Sequence, residues 1–116
     1  MRMWNVPTEY LCRKHLLGEH VEMHMFIGTI DKGISIKGYV DGGLVETQLI
    51  SHRHDELVRE MKKRGYNHNS PVNGWKCDMV LGNVDVTNSI NELNKRCIEC
   101  KDNIDKILNK ELKLLL

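Results

Sequence analysis

The residues best suited to nucleophilic attack and proton transfer lie near the start of the chain. The first such group is the α-amine of Met1. An α-amine has a pKa near ~7.7–8, against ~10.4 for the lysine side chain, so a useful fraction of these amines is neutral and nucleophilic near neutral pH. Amines of this kind attack sugar or carbonyl carbons and form Schiff bases. One predicted helix then carries the densest set of proton-exchanging side chains in the sequence: His15, Glu19, His20, Glu22 and His24. These residues predict a site that joins the Met1 amine to Glu22.

The spacing within this helix supports a shared site. His15, Gly18 and Glu22 stand at positions i, i+3 and i+7, so they fall within one narrow arc of the helix surface. Gly18 leaves room for a ligand to approach the backbone. Arg2 is bulky, so the aminopeptidase that trims methionine before small residues should leave Met1 in place. The plain alternative for Glu22 and His15 is a surface carboxylate beside a half-buried histidine.

The apolar pattern predicts an all-α fold, a compact single domain over residues 1–116 with three main helices and long irregular connecting loops. The first helix is expected to start at Thr8 as its cap and to end at residues 31–33. The second should run from about Leu44 to Arg64. The third should start near Thr87 or Asn88 and continue to Leu112, because its apolar residues keep heptad spacing.

Two segments between these helices are rich in turn-forming residues. Residues 33–43 contain four glycines and are expected to form a loop, with a short extended piece at 34–40 as an alternative. Residues 66–86 are expected to be irregular, with Trp75 and the pair Val80-Leu81 packed against the core. The net charge of +1 and the ordinary apolar fraction exclude a disordered or strongly basic chain.

Two pairs of residues have the spacing of metal ligands. Cys97 and Cys100 are three positions apart, but both fall on the predicted apolar seam, where a buried cysteine behaves as a small hydrophobe. A structural zinc ion normally takes four ligands, so core packing is the favoured interpretation. His20 and His24 could hold zinc on one helix face together with Glu19, although a solvated face is favoured. We therefore expect no metal and no cofactor.

Two stretches resemble the phage endonuclease V-type pyrimidine-dimer DNA glycosylases. Residues 15–22, HLLGEHVE, resemble the HLxAEYRE segment of that family's first helix. Residues 53–67, RHDELVREMKKRGYN, resemble its RQxELxxxxLKRGFN segment. In the family an arginine directly follows the nucleophilic terminal residue, and the catalytic glutamate lies one helix later. Met1, Arg2 and Glu22 keep that spacing here.

The resemblance implies a DNA repair glycosylase with apurinic/apyrimidinic (AP) lyase activity. The Met1 amine would attack the sugar of a damaged, pyrimidine-dimer-like nucleotide in double-stranded DNA and form a Schiff base. Glu22 would support proton transfer, and Arg2 would orient phosphate near the amine. The substrate and the DNA backbone would be contacted by residues of both resembling stretches and by the basic residues near them: Arg13, Lys14, His15, Gly18, Glu19, Arg53, Lys62, Lys63, Arg64 and Asn67.

The chain also departs from the family pattern. Met1 stands where the family usually exposes a small terminal residue, and residues 110–116 replace an aromatic, basic segment that contacts DNA. A non-catalytic helical module that binds nucleic acid or protein with the same fold is the alternative function. We expect a monomer, and the heptad seam of the third helix would also suit a dimer. No apolar run could span a membrane, so a cytoplasmic protein is expected, in the host cytoplasm if it is phage-encoded.

Overall fold

The structure is a computed structural model that describes residues 1–116, and it contains helices and irregular segments but no β-strand. Short 3₁₀ turns at Thr8–Tyr10 and Thr47–Leu49 precede two of the helices. None of the helices is both long and apolar enough to cross a membrane. The predicted all-α class is confirmed, but there are five α-helices where three main ones were expected: α1 (Arg13–Asp31), α2 (Lys37–Asp41), α3 (Ile50–Lys63), α4 (Val86–Arg96) and α5 (Ile98–Leu115).

The first long helix begins later than predicted. Thr8 lies in a 3₁₀ turn, and the extended backbone of Leu11 and Cys12 separates that turn from α1. Cys12 is the N-cap, and its Sγ accepts a hydrogen bond from the backbone N–H of His15 at 3.5 Å. The predicted end is confirmed, because α1 stops at Asp31 and Gly33 follows with a φ of +71°, a left-handed conformation that favours glycine.

The core lies mainly between α1 and α3, the two long helices that pack most extensively. Fully burying an aliphatic or aromatic side chain contributes about 1.5–3 kcal/mol, so this interface supplies much of the stability. The N-terminal segment, α4 and α5 also contribute buried side chains to this core. Its fully buried members include residues from each of these parts: Met3, Leu16, Met23, Phe26, Ile50, Leu57, Leu93 and Ile104.

The segment before α3 differs from the prediction. Residues 37–41 form the short helix α2 instead of a loop or an extended piece. The helix α3 begins at Ile50, not at Leu44, because Glu46 is extended and a 3₁₀ turn follows it. The non-helical backbone at Leu44 has a role of its own, since its carbonyl accepts a 2.7 Å hydrogen bond from the N–H of Met3.

The predicted third helix is broken in two at Cys97. This residue is extended, with φ −137° and ψ 108°, so it ends α4 and caps α5 at the same time. Its Sγ accepts a hydrogen bond from the N–H of Cys100 at 3.4 Å. The heptad seam packs within the chain as far as Ile107, whereas Leu112 and residues 114–116 are exposed.

The connection from α3 to α4 is irregular, as predicted. Trp75 fastens it to the end of α1, because its indole Nε1 donates a 2.9 Å hydrogen bond to Asp31 Oδ1. The expectation that the side chains of Val80 and Leu81 pack in the core is wrong, since both are exposed. The backbone of Leu81 makes the attachment instead, through hydrogen bonds with the N–H and the hydroxyl of Thr47.

Candidate active site

The first residues of the chain run in an extended segment over α1, and buried hydrogen bonds fix them there. Met3 and Trp4 are buried. The N–H of Met3 is bonded to the carbonyl of Leu44, and the N–H of Trp4 donates to Glu19 Oε2 at 3.1 Å. The α-amine of Met1 is therefore held against one face of α1 instead of moving freely as most chain termini do.

A buried ion pair provides this anchor. Arg53 donates from Nε and Nη2 to the two carboxylate oxygens of Glu19, at 2.7 and 2.9 Å, and from Nη1 to the carbonyl of Val6 at 2.8 Å. Both side chains are almost completely buried. A buried charge is tolerated when it is paired and its remaining hydrogen bonds are made, and both conditions hold here. Both side chains therefore have a structural role in holding the N-terminal segment, and their contact with DNA stays a prediction.

Glu22 lies beside the α-amine, one turn further along α1. Its Oε1 is 3.9 Å from the Met1 nitrogen, and the two groups are partly exposed. Burial raises the pKa of the Glu22 carboxyl, while the charge of the α-amine and the backbone N–H of Arg2 act in the opposite direction. A carboxyl group with a raised pKa is suited to exchange a proton with an amine that it reaches directly or through one bridging water molecule.

The amine and Glu22 open into a cavity of about 490 Å³. The predicted arc is confirmed, because His15, Gly18 and Glu22 all line this cavity. A Cβ at Gly18 would meet no protein atom within 4 Å, so this glycine leaves the helix backbone uncovered towards the cavity. The remaining lining consists of the ends of Glu19 and Leu44, an aromatic ring and three basic side chains: Trp4, Arg2, Lys14 and Arg96.

Arg2 is positioned by the wall of this cavity. Its guanidinium lies 3.8 Å from the centroid of the Trp4 ring, and Nη2 is 3.5 Å from Ser89 Oγ. Burial and the nearby charge of Arg96 lower the pKa of Arg2. Its Nε is buried without a hydrogen-bond partner. A partly buried guanidinium with an unused donor is suited to an anionic group.

The other predicted DNA contacts lie outside the cavity. Arg13 is exposed and stacks over Tyr66, with 4.8 Å between its guanidinium and the ring centroid. Arg64 is bonded to Glu60 and to the carbonyls of Thr8 and Leu11, so it fastens the N-terminal 3₁₀ turn to α3. Exposed polar and basic side chains remain at the end of α3: Lys62, Lys63 and Asn67.

Trp4 and Arg96 are parts of the site that the sequence pattern did not indicate. The cation–π contact of Trp4 with Arg2 depends on how the N-terminal segment folds over α1. Arg96 is the last residue of α4, which the sequence pattern merged with α5. The only signal in the sequence was an aromatic residue two positions after an arginine, and this pattern is too common to identify a site.

Potential metal ligands converge in two places. His20 is buried, so the favoured solvated face is wrong for it, and burial and the neighbouring histidines lower its pKa to about 4. It meets three other histidines in one cluster. The Cys97–Cys100 pair lies in the apolar seam as expected, but it also meets two residues at the start of α1. The clusters are His20, His24, His54 and His68, and Cys12, His15, Cys97 and Cys100.

Comparison with known proteins gives one result. A family model described as pyrimidine dimer DNA glycosylase matches residues 1–74, which include α1, α2 and α3. No curated protein and no solved structure gives a significant match. The matched part is more than half of the chain and holds every residue that lines the cavity except Arg96. The resemblance of the two stretches is thereby confirmed, and the chain belongs to the pyrimidine dimer DNA glycosylase family.

Proposed function

We propose that this protein is a DNA repair glycosylase with AP lyase activity, in which the Met1 α-amine is the nucleophile and Glu22 its proton partner. The observation that carries the proposal is the amine itself, fixed 3.9 Å from Glu22 at the mouth of a basic cavity. Family membership supplies the glycosylase activity and the DNA substrate. The amine supplies a route to strand cleavage.

The reaction needs a neutral amine next to an anomeric carbon. The amine nitrogen forms a bond to C1′ of the damaged nucleotide, and the bond from C1′ to the base breaks, so the base takes the electron pair and a proton. Opening of the sugar ring gives a protonated Schiff base. Loss of a proton from C2′ then expels the 3′ phosphate, and water releases the enzyme.

Glu22 serves two parts of this reaction. As a carboxylate it accepts a proton from the amine, directly or through one water molecule. Its negative charge also stabilises the positive charge that develops on the sugar. Its partial exposure allows it to reach the substrate, whereas Glu19 on the same helix is bound on both oxygens by Arg53.

The basic side chains around the cavity would hold the DNA backbone. Arg2, Lys14 and Arg96 line the same cavity as the amine, and the net charge of the chain is only +1, so basic side chains are gathered where phosphates must lie. Lys62, Lys63 and Asn67 form a second exposed group and would contact phosphates outside the site. Phosphate contacts position a protein on DNA without reading its sequence.

The test is a cleavage assay on a duplex that carries one cyclobutane pyrimidine dimer, with the undamaged duplex as control. We expect wild-type protein to cut the damaged strand at the dimer without added alkali and to leave the undamaged duplex intact. Strand cleavage that appears only after treatment with alkali would support glycosylase activity but contradict AP lyase activity. Binding without any base release would indicate the non-catalytic module.

A further inference from the structure

Three cysteines and a histidine from opposite ends of the chain meet beside the candidate active site. Cys12 Sγ lies 3.2 Å from His15 Nδ1 and 3.8 Å from Cys97 Sγ. Cys100 Sγ lies 3.6 Å from the same His15 nitrogen. All four ligand atoms are within 4.8 Å of one another. From these contacts we propose that Cys12, His15, Cys97 and Cys100 form a structural zinc site.

The distances fit a zinc ion at the centre of the four atoms. With Zn–S near ~2.3 Å and Zn–N near ~2.0–2.1 Å, a tetrahedral site places two sulfur atoms about 3.8 Å apart and a sulfur and a nitrogen about 3.5 Å apart. The sulfur–sulfur separation of 3.8 Å and the sulfur–nitrogen separation of 3.6 Å match this arrangement, and the other sulfur–nitrogen separation, 3.2 Å, is slightly shorter. Three cysteines with one histidine are also an ordinary ligand set for structural zinc.

The backbone around the cluster favours thiolates. Cys12 and Cys97 are extended residues that precede α1 and α5, and each is followed three positions later by the second ligand of its helix. Three backbone N–H groups donate to the sulfur atoms: His15 to Cys12, Cys100 to Cys97, and Cys12 to Cys100. Such donors and the N-terminal ends of two long helices stabilise negative sulfur. The thiols lose their protons when the metal binds.

Simple core packing accounts less well for the same contacts. Cysteines packed only as small hydrophobes do not require three N–H donors and an imidazole nitrogen directed at the sulfur atoms. A single disulfide would use two cysteines and leave the third and His15 without a function. A zinc ion would join the start of α1 to the α4–α5 junction, next to Arg96 and in the wall of the active-site cavity.

The test uses untagged full-length protein with Zn²⁺ and Co²⁺ as probes. We expect Co²⁺ to give the charge-transfer absorption that only a thiolate ligand produces. Cys100→Ser should weaken this absorption strongly, whereas the matched control Cys77→Ser, at the one cysteine outside the cluster, should leave it unchanged. Equal spectra for the two variants, or no metal uptake by the wild type, would overturn the proposal.

A measurement on the wild type makes the test independent of how the variants fold. A thiol reagent should modify about one cysteine per chain, Cys77, while zinc is bound, and the partly exposed Cys97 as well after a strong chelator has removed the ion. The same reactivity with and without chelator would contradict the site. A native disulfide between Cys12 and Cys97, detected by mass spectrometry, would also contradict it.

The four-histidine cluster carries a second inference from a different observation. The Nε2 atom of His54 lies 3.2 Å from that of His20 and 3.1 Å from that of His24. The Nε2 atom of His68 is buried and has no hydrogen-bond partner. The ligand atoms of all four histidines are within 4.8 Å of one another. The geometry points to a second, all-imidazole metal site that accepts zinc or another first-row divalent ion.

Hydrogen bonding within this cluster leaves His68 Nε2 without a partner. A neutral imidazole has one donor and one acceptor nitrogen. His54 Nδ1 is 2.9 Å from a carboxylate oxygen of Asp55, so Nδ1 carries the proton and the Nε2 atom has one lone pair facing the Nε2 atoms of both His20 and His24. A carboxylate behind a histidine is also the usual second partner of a metal ligand. One cation at the centre would satisfy the lone pairs of all four rings.

Metal content distinguishes the two sites. We expect about two zinc ions per chain in the wild type and about one in His24→Ala. The cobalt–thiolate absorption of His24→Ala should persist, which would show that its fold is intact. The matched control His52→Ala changes the exposed histidine outside both clusters and should keep about two. The histidine site would be overturned if the wild type bound only about one zinc ion per chain and the Cys100→Ser variant bound none.

Discussion

Two glutamates of α1, three positions apart on the same face of the helix, lie in opposite surroundings. Glu19 points into the core, where Arg53 and the N–H of Trp4 bind its oxygens. Glu22 lies at the cavity, partly exposed, with the Met1 amine 3.9 Å away. A carboxylate held by three donors positions its neighbours, whereas one near a single amine and the solvent can exchange protons. Environment, rather than residue type, separates the structural carboxylate from the reactive one.

The first way to test this contrast is the substitution Glu22→Gln. It keeps the size of the side chain but removes the proton acceptor, so we expect the rate of base release to fall about 10²–10⁴-fold. The free energy of unfolding should change little, because Glu22 makes no fixed buried ion pair. Single-turnover rates and urea denaturation measure the two quantities. A variant with wild-type activity would remove Glu22 from the mechanism.

The opposite result is expected for Glu19→Gln. This change removes the bidentate partner of the buried Arg53 charge and leaves only Glu56 Oε1, 3.6 Å from Nη1. Loss of the partner of a buried charge typically costs about 3–5 kcal/mol of stability. Urea denaturation measures the loss, and Asp105→Asn on the exposed face of α5 is the control for removing an ion pair with Lys101 in water. An unchanged midpoint in Glu19→Gln would mean that the buried pair does not anchor the N-terminal segment.

A smaller effect is expected at Lys14, in the wall of the cavity. Loss of one phosphate contact should reduce the salt dependence of DNA binding by about one unit of the log–log slope. Lys14→Gln should therefore weaken binding at low salt while leaving the fold intact. Titrations at several salt concentrations give the slope. A slope equal to that of the wild type would place Lys14 away from the DNA.

The smallest effect on chemistry is expected at the end of α3. Lys62→Gln combined with Lys63→Gln should lower the salt-dependence slope by at most about two units and leave the single-turnover rate on bound DNA unchanged. These lysines are exposed and do not line the cavity. A reduced rate at saturating protein would show that α3 contributes to the reacting geometry and not only to binding.

The sequence predicted those features that depend on local spacing. The arc of His15, Gly18 and Glu22 follows from helical periodicity, and the end of α1 follows from Gly33. The break at Cys97 was not predictable, because the apolar residues keep the same spacing on both sides of it. Periodicity reports which face is buried, but it does not report whether the backbone remains helical.

Features that join distant segments were also missed. Glu19 and Arg53 are 34 positions apart, and the sequence showed them only as two charges. The cysteine cluster combines residues near position 12 with residues near position 100, so each half shows only two of the four ligands that a zinc site requires. Packing of α5 against the N-terminal 3₁₀ turn brings the two halves together.

The most direct test of the central claim is borohydride trapping on a duplex that contains one abasic site. The protein should be untagged, and mass spectrometry should first establish that its terminus is a free Met1 amine. We predict a covalent protein–DNA adduct that maps to the Met1 nitrogen and disappears when that amine is acetylated. Absence of an adduct with an intact amine, or an adduct that maps to a lysine, would contradict the account.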